Sequence, residues 1–292
     1  MKTILSCLIS FAATLSMMAQ SQRIVFTPED SMRIEALLKT GAQQPKGTNM
    51  VLYFAKQFLG IPYVGATLEV ADPEQLVINL RELDCTTYVE TVSALALTHS
   101  HHQRKFSDHC YWLTPPPYPQ GKLTDYPSRN HYFSTWIENA EQMGLAKEQG
   151  QNTDKAIYPF NAQQTLQIHF MSQHAELYPA LKKHAEFIPI IAQAEKALNG
   201  RKINYIPIAS LTSSKELRKA VKDGDILAMV TRRDGLDVSH VGFAVWDEKG
   251  RLHLMNASSL HKRVVNEEKS LQQYLKSQRL QPGIRVIRLK LK

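Results

Sequence analysis

Apolar and polar residues follow a helical period over the first two thirds of the chain and a strand-like period over the last third. Residues 27–58 carry apolar positions at helical spacing and predict two helices. The first is expected to begin at Thr27, where a capping side chain, a proline and early acidic residues follow each other. Asp84 begins a further helix to about His99, because apolar side chains recur on one face.

The last third has the character of an antiparallel sheet. Short runs rich in Val, Ile, Leu and Phe alternate with turn sequences, and they predict strands over 225–231, 240–246, 251–256 and 285–289. Residues 114–130 are proline-rich and are expected to form a loop. Residues 131–200 are predicted to form a largely helical insertion. Because helices come first and the sheet follows, the pattern indicates an α+β fold.

The N-terminal residues have the pattern of a targeting segment. Lys2 supplies a positive charge, residues 4–18 are apolar or small, and Ala19 suits the position before a cleavage site. This pattern is typical of a secretory signal peptide over about residues 1–19. We therefore expect export across the inner membrane to the periplasm, as one mature domain over residues 20–292. No later stretch has the length of a membrane span, so stable membrane insertion is not expected.

Composition narrows the classes of protein and partner. Hydrophobic residues make up 43% and charged residues 21% of the 292 residues, as in an ordinary globular protein. The net charge of +8 favours anionic partners such as cell-wall carboxylates. Nucleic acid is not an expected partner, because the basic residues are scattered and lack interleaved stacking aromatics. Paired zinc cysteines, the HExxH motif and glycine-rich phosphate loops are missing from the sequence, so neither a metal nor a cofactor is expected.

Two cysteines remain after the predicted signal peptide, Cys85 and Cys110. Cys85 lies at the predicted start of a helix, where unpaired N–H groups and the helix dipole favour a thiolate. A nucleophilic cysteine requires such a lowered pKa. A buried structural cysteine, or a disulfide between the two, is the alternative interpretation. Within the leader, Cys7 offers a weaker alternative as a lipoprotein site.

A nucleophilic thiol needs an imidazole, and the imidazole needs an acceptor that orients it. His240 lies at the start of a predicted strand, and Asn256 lies near the end of the next one. A hairpin joins these strands, so their side chains can be neighbours. The amide oxygen of Asn256 can then accept the imidazole N–H.

Five sequence blocks, in the same order, resemble those of a known family. They comprise Gly60-Ile61-Pro62-Tyr63, Leu83-Asp84-Cys85-Thr86-Thr87 followed by an aromatic residue and Val-Glu, and residues 126–133, 235–242 and 256–258. They are similar to the DUF1460 family of N-acetylmuramoyl-L-alanine amidase-like proteins within the NlpC/P60 superfamily. The resemblance as a whole extends over about residues 25–290. The resemblance implies a papain-like core, in which a cysteine at a helix N-terminus packs on an antiparallel sheet.

The resemblance also implies catalytic roles. Cys85 corresponds to the nucleophile and His240 to the general base. Asn256 stands where most of the superfamily has histidine, and it retains the acceptor that this position needs. Tyr63 corresponds to a tyrosine whose hydroxyl assists the oxyanion.

Further residues are candidates for substrate binding: Asp84, Ser239, Arg129, His131, Glu69 and Asp237. Asp84 and Ser239 match positions that bind a free peptide amine in related endopeptidases, although Asp84 also fits a simple helix cap. Arg129 and His131 suit a carboxylate of the substrate. Glu69 belongs to a segment that is longer than in the simple endopeptidases and is expected to reshape the pocket.

The activity implied by the resemblance is hydrolysis of the amide between N-acetylmuramic acid and L-alanine, in peptidoglycan or muropeptides. The enzyme is expected to need no cofactor and to act as a monomer. An endopeptidase that cuts between D-glutamate and the diamino acid is an alternative of the same superfamily. A catalytically inactive peptidoglycan-binding protein and an acyltransferase are alternatives of other classes.

Overall fold

The computed structural model describes residues 24–150 and 154–292. The predicted signal segment, residues 1–19, lies outside the described residues. The α-helices of the described ranges are α1 (Pro28–Gly41), α2 (Met50–Lys56), α3 (Cys85–Ser100), α4 (Phe106–Leu113), α5 (Phe133–Gln142), α6 (Phe170–Gln173), α7 (Pro179–Lys183), α8 (Ile188–Leu198), α9 (Lys215–Ala220) and α10 (Leu271–Lys276). None of these helices is long and apolar enough to cross a membrane.

The strands form one large sheet and one short pair. Their bounds are β1 (Ile24–Val25), β2 (Leu76–Val77), β3 (Ala146–Gln149), β4 (Ala162–Thr165), β5 (Lys202–Pro207), β6 (Ile226–Val230), β7 (Val238–Trp246), β8 (Leu252–Ser258), β9 (Arg263–Asn266) and β10 (Gly283–Leu289). The large sheet has the order β4-β5-β10-β6-β7-β8-β9, and β3 also pairs with β10. All its pairings are antiparallel, so the predicted helices followed by an antiparallel sheet are confirmed.

Helices cover both faces of the sheet. On one face, Val241 and Phe243 join the core formed with α1 to α5. On the other face, Leu227 and Leu254 join a second core with α9 and α10. The central strand β6 is therefore buried along its whole length, which explains its continuous apolar run.

The helix α3 is the central helix of the first core. Thirteen of its sixteen residues are buried. Tyr88 packs edge-on against Phe243 of β7 at 5.5 Å, and its hydroxyl donates to the carbonyl of Ala55 at 3.1 Å. These contacts fix the N-terminus of α3 beside the start of β7.

The predicted insertion, residues 131–200, is only partly helical. It contains α5 to α8, and it also contributes β3 and β4 to the sheet. The expected helices are present, but the two strands were not predicted, because both are polar in sequence and lack the branched apolar residues that mark a strand. They form through pairing with β10 and β5, which their own sequences do not reveal.

A buried ion pair attaches β3 to β10 and α5. Arg285 donates to Glu148 at 2.6 and 3.0 Å, and its remaining nitrogen donates to the hydroxyl of Ser134 at 2.6 Å. The side chains of Arg285 and Glu148 are 3% and 5% exposed. Loss of either partner leaves a nearly buried charge unpaired, which is much more costly than loss of a surface pair.

We predict that Glu148→Gln lowers the free energy of unfolding by about 3 kcal/mol, because it leaves the Arg285 charge buried without a counterion. Urea unfolding followed by circular dichroism measures the change. The matched control is Glu138→Gln, which breaks the exposed Arg201–Glu138 pair and is expected to cost under about 1 kcal/mol. Equal losses for the two variants would contradict the assignment.

Candidate active site

Cys85 is the first residue of α3, and Asp84 is its N-cap. The Asp84 carboxylate accepts from the backbone N–H and the hydroxyl of Thr87 at 2.8 and 2.9 Å. In return, the Thr87 hydroxyl accepts the Asp84 N–H at 2.9 Å. This reciprocal cap confirms the predicted helix start and presents Cys85 at the positive end of the helix dipole.

Two buried side chains, Asn256 and then Glu267, hold the imidazole of His240 through successive hydrogen bonds. Its Nε2 lies 2.7 Å from Oδ1 of Asn256, and Nδ2 of Asn256 donates to Glu267 at 3.1 Å. Because a carboxylate only accepts, Glu267 fixes which end of the Asn256 amide faces His240. The amide oxygen then requires a proton on Nε2, and this leaves Nδ1 of His240 as the basic nitrogen.

Gly242 makes room for the contact between the two strands. A Cβ at this position would lie 2.9 Å from the Cβ of Asn256 and 2.7 Å from the carbonyl oxygen of Met255. A larger residue would therefore push β7 and β8 apart just where His240 reaches Asn256.

The thiol of Cys85 and the imidazole of His240 line one cavity of about 120 Å³. The backbone N–H of Val241, the residue after His240, is directed at the sulfur of Cys85. Other parts of the cavity wall come from the loop before α5, from α5 and from the approach to β7: Asn130, His131, Tyr132, Phe133, Trp136, Leu236, Asp237, Val238 and Ser239. The structure thus brings together two residues that are 155 positions apart in the sequence.

Burial makes the resting pair neutral. It raises the pKa of the Cys85 thiol to about 12, and the Asp84 carboxylate raises it further, against the Val241 N–H and the Thr86 hydroxyl. Burial also lowers the pKa of His240 below its ordinary value, against Asn256 and the charges of Glu267 and Asp84. Desolvation of the sulfur thus opposes the helix N-terminus, which favours the thiolate.

Tyr63 lies beside Cys85 but outside the wall of this cavity. Its backbone N–H donates to the carbonyl of Lys262 at 2.9 Å, and an isolated bridge joins it to Leu83. Burial, with the nearby Cys85 and Asp84, raises its pKa to about 12. The phenol thus keeps its proton and can donate a hydrogen bond close to the sulfur.

The other predicted substrate residues near the cavity are partly engaged with the protein. The exposed Ser239 accepts from the amide of Gln281 at 2.9 Å. The Asp237 carboxylate accepts the N–H of Ser134 at 2.6 Å and so caps α5. Asp237 lines the cavity, yet its carboxylate serves the helix start, as that of Asp84 does for α3. The ring of His131 lines the cavity and has one nitrogen 2.9 Å from the carbonyl of Tyr126.

Arg129 and Glu69 do not line the cavity of Cys85. The Arg129 guanidinium binds the buried Glu74, with its Nε at 2.8 Å, and is 11% exposed. The carboxylate that was expected from a substrate is thus supplied by the protein itself. Glu69 accepts from the Tyr126 hydroxyl at 3.1 Å and lines a separate cavity of about 270 Å³.

The sequence did not reveal Glu267 or Gln281. Glu267 follows β9, a four-residue strand that the apolar pattern did not predict, and only its pairing with β8 places the carboxylate against Asn256. Gln281 follows α10 in a turn-like segment and reaches Ser239 across the sheet. Neither residue has a sequence signal of its own.

Cys85 and Cys110 are both free thiols, so the alternative disulfide is not formed. Cys110 is buried within α4. Within residues 24–150 and 154–292, no group of three or more His, Cys, Asp or Glu side chains is arranged to hold a metal ion.

We predict slow alkylation of Cys85 by iodoacetamide at about pH 7, because the raised pKa leaves little thiolate there. The rate should increase by about tenfold per pH unit into the alkaline range, since the thiolate is the reactive form. A Cys110→Ala background removes the competing thiol, and mass spectrometry of the labelled peptide gives the rate. A plateau that is already reached below neutral pH would show a stable thiolate instead.

Comparison with known proteins places these residues in a family. The family model of N-acetylmuramoyl-L-alanine amidase-like proteins, named AmiA-like, matches residues 53–284. A search of curated proteins finds no match.

Several solved structures are similar to the chain. An N-acetylmuramoyl-L-alanine amidase from Bacteroides uniformis is 35% identical with a TM-score of 0.75, and the match covers 84% of this chain and 100% of that one. A Bacteroides fragilis protein, provisionally described as a xylanase, is 38% identical with a TM-score of 0.73 over 81% and 99% of the two chains. A Legionella pneumophila protein labelled DUF1460 shares the fold at 22% identity, with a TM-score of 0.68 over 89% and 94%. The match over most of the chain shows that this protein belongs to the N-acetylmuramoyl-L-alanine amidase-like family.

Proposed function

We propose that the protein is a cysteine-dependent amidase that cleaves the bond between N-acetylmuramic acid and L-alanine in peptidoglycan or muropeptides. Membership of the amidase-like family supports cell-wall amidase activity. One observation carries the finer assignment: the thiol of Cys85 and the oriented imidazole of His240 line the same cavity.

In this mechanism the sulfur of Cys85 attacks the lactyl carbonyl carbon while its proton passes to Nδ1 of His240. The C–S bond forms as the thiol ionises, so the neutral resting pair does not prevent reaction. His240 then gives that proton to the L-alanine nitrogen as the C–N bond breaks. Water attacks the remaining thioester while His240 takes a proton from it. The C–S bond then breaks, His240 returns that proton to the sulfur to restore the thiol, and the lactyl carboxylic acid leaves.

Charge on the carbonyl oxygen develops during both attacks. The Tyr63 hydroxyl, which keeps its proton, and the backbone N–H of Cys85 at the helix start are the proposed donors to that oxygen. His240 gains a positive charge at the same time. Asn256 itself carries no charge, but Glu267 lies directly behind it and raises the pKa of His240. The carboxylate therefore stabilises the imidazolium through the amide.

The same proposal includes a superfamily, a cellular location and an oligomeric state for the protein. A cysteine at the N-terminus of α3, packed on an antiparallel sheet that bears His240, supports a papain-like core of the NlpC/P60 type. The pattern of residues 1–19 supports export to the periplasm, where the substrate lies. The proposed enzyme acts as a monomer and uses no cofactor, since all proton transfers go through His240.

Several alternatives differ in chemistry or product. An endopeptidase of the same superfamily uses the same side chains on the bond between D-glutamate and the diamino acid. A wall-binding protein with an inactive site predicts no turnover. A xylanase requires two carboxyl groups about the scissile bond. In the described part of the chain, the Cys85 cavity is lined by a single carboxylate, Asp237, and that one caps α5.

We predict that the mature protein releases free stem peptide from defined muropeptides, as measured by mass spectrometry of the products. Cys85→Ala should abolish turnover and retain substrate binding, because it removes only the nucleophile. Cys110→Ala is the matched control and should retain activity, since Cys110 lies buried in α4 away from the cavity. Release of L-Ala-D-Glu would identify the endopeptidase, and binding without turnover by the wild-type protein would identify the inactive binding protein.

The pH dependence follows from His240, which acts in its neutral form. Activity should be present above its lowered pKa and should fall as the pH drops through that value. Glu267→Gln removes a charge that raises this pKa but retains an acceptor for Asn256, so the acid limb of kcat/KM should move to lower pH by about 0.5 to 1 unit. The exposed neighbour provides the matched control, Glu268→Gln, which should leave the limb in place. An unmoved limb in Glu267→Gln, or one at higher pH, would refute this coupling.

A further inference from the structure

His131 has one nitrogen engaged with the protein and the other free. Its Nε2 lies 2.9 Å from the carbonyl oxygen of Tyr126, and its ring packs against the Tyr126 ring with centroids 4.5 Å apart. These two contacts hold the imidazole at the wall of the cavity that contains Cys85. Its Nδ1 has no hydrogen-bond partner in the described ranges and is not among their buried unpaired atoms.

The hydrogen bond to Tyr126 determines what the free nitrogen can do. A carbonyl oxygen only accepts, so Nε2 of His131 must carry the proton. Burial and the neighbouring Arg129 lower the pKa of His131 to about 3, which leaves the ring neutral at ordinary pH. In a neutral ring that is protonated on Nε2, Nδ1 is an acceptor. His131 is therefore suited to an N–H or O–H donor and cannot neutralise the carboxylate that the sequence suggested.

The geometry of an amide indicates which donor this is. In a trans amide the C=O and N–H bonds point in opposite directions. The proposed donors to the carbonyl oxygen are the Tyr63 hydroxyl and the Cys85 N–H, and Tyr63 lies outside the cavity wall that contains His131. An amide bound with its oxygen toward Tyr63 thus directs its N–H away from Tyr63, and His131 is a neutral acceptor on the cavity wall that does not include Tyr63.

We propose that Nδ1 of His131 accepts a hydrogen bond from the N–H of the amide being cleaved. The assignment rests on the proposed amidase function and makes His131 a substrate-binding residue that selects a bond with an N–H. Together with the oxyanion donors it fixes both ends of the amide plane, so that the carbonyl carbon faces Cys85. An ester at the same place has no such donor and leaves the acceptor unpaired.

Substitution of His131 by Asn or by Gln tests its two ring nitrogens one at a time. The Asn side chain places a polar atom at the position of Nδ1, and the Gln side chain places one at the position of Nε2. His131→Gln keeps a donor for the Tyr126 carbonyl but removes the acceptor. His131→Asn keeps an acceptor toward the cavity and loses the bond to Tyr126. On the muramyl-L-alanine amide, we expect kcat/KM to fall about 10- to 100-fold for His131→Gln and less for His131→Asn.

A second substrate tests the hydrogen bond itself. In the ester analogue, L-lactate replaces L-alanine, so that oxygen stands in place of the scissile N–H. The ratio of kcat/KM for amide and ester does not depend on the fraction of folded enzyme, so it remains informative if a variant is unstable. We expect this ratio to fall about 10-fold or more from wild type to His131→Gln. It should change less in His131→Asn.

The outcomes separate this inference from the proposed function. An equal loss of kcat/KM on the amide and the ester would make His131 a structural residue. A greater loss for His131→Asn than for His131→Gln would assign its role to the contact with Tyr126. Either result, or wild-type activity in His131→Gln, overturns the inference while the amidase function stands. Failure of the wild-type protein to cleave the amide overturns both.

Discussion

The hydrogen bond from Asn256 to Glu267 determines the state of the whole site. Because the carboxylate takes the amide nitrogen, the amide oxygen faces His240, and the imidazole carries its proton on Nε2. The other nitrogen is then the one available for the proton transfer with the thiol that we propose. If the Asn256 amide were reversed, its N–H would face Nε2 of His240. The ring proton would then lie on Nδ1, and Nδ1 could no longer act as a base. The buried carboxylate of Glu267 thus sets the direction of two successive hydrogen bonds. It also supplies the negative charge that Asn256 lacks, from the far side of the Asn256 amide.

Two further carboxylates hold the starts of the helices that line the cavity. Asp84 caps α3 and Asp237 caps α5, so the two helices that meet at the cavity each begin at an acidic side chain. Asp84 precedes the cysteine by one residue, and Asp237 precedes the histidine by three. Asp84 also acts on the reacting groups, since it raises the pKa of both the Cys85 thiol and His240.

The sequence predicted the parts of the molecule that depend on local pattern. The capped starts of α1 and α3 and the apolar strands β6, β7, β8 and β10 have strong local signals, and the structure contains them. The polar strands β3 and β4, together with β5 and the four-residue β9, form through pairing with distant segments, which local sequence does not encode. In the site, the sequence predicted the contact between Asn256 and His240, because a hairpin joins the strands that carry them. The engagement of Arg129 with Glu74 and the desolvation of the Cys85 sulfur depend on burial in the folded chain, which local sequence does not encode.

The last strand of the chain lies in the interior of the sheet. β10 pairs with β6 on one side and with β5 and β3 on the other, and its Arg285 reaches the start of α5. The joining of β5 to β6, and the contact of Arg285 with the start of α5, therefore require residues 283–289. A chain that stops before residue 283 would leave the facing edges of β5 and β6 unpaired, so completion of the sheet depends on this strand.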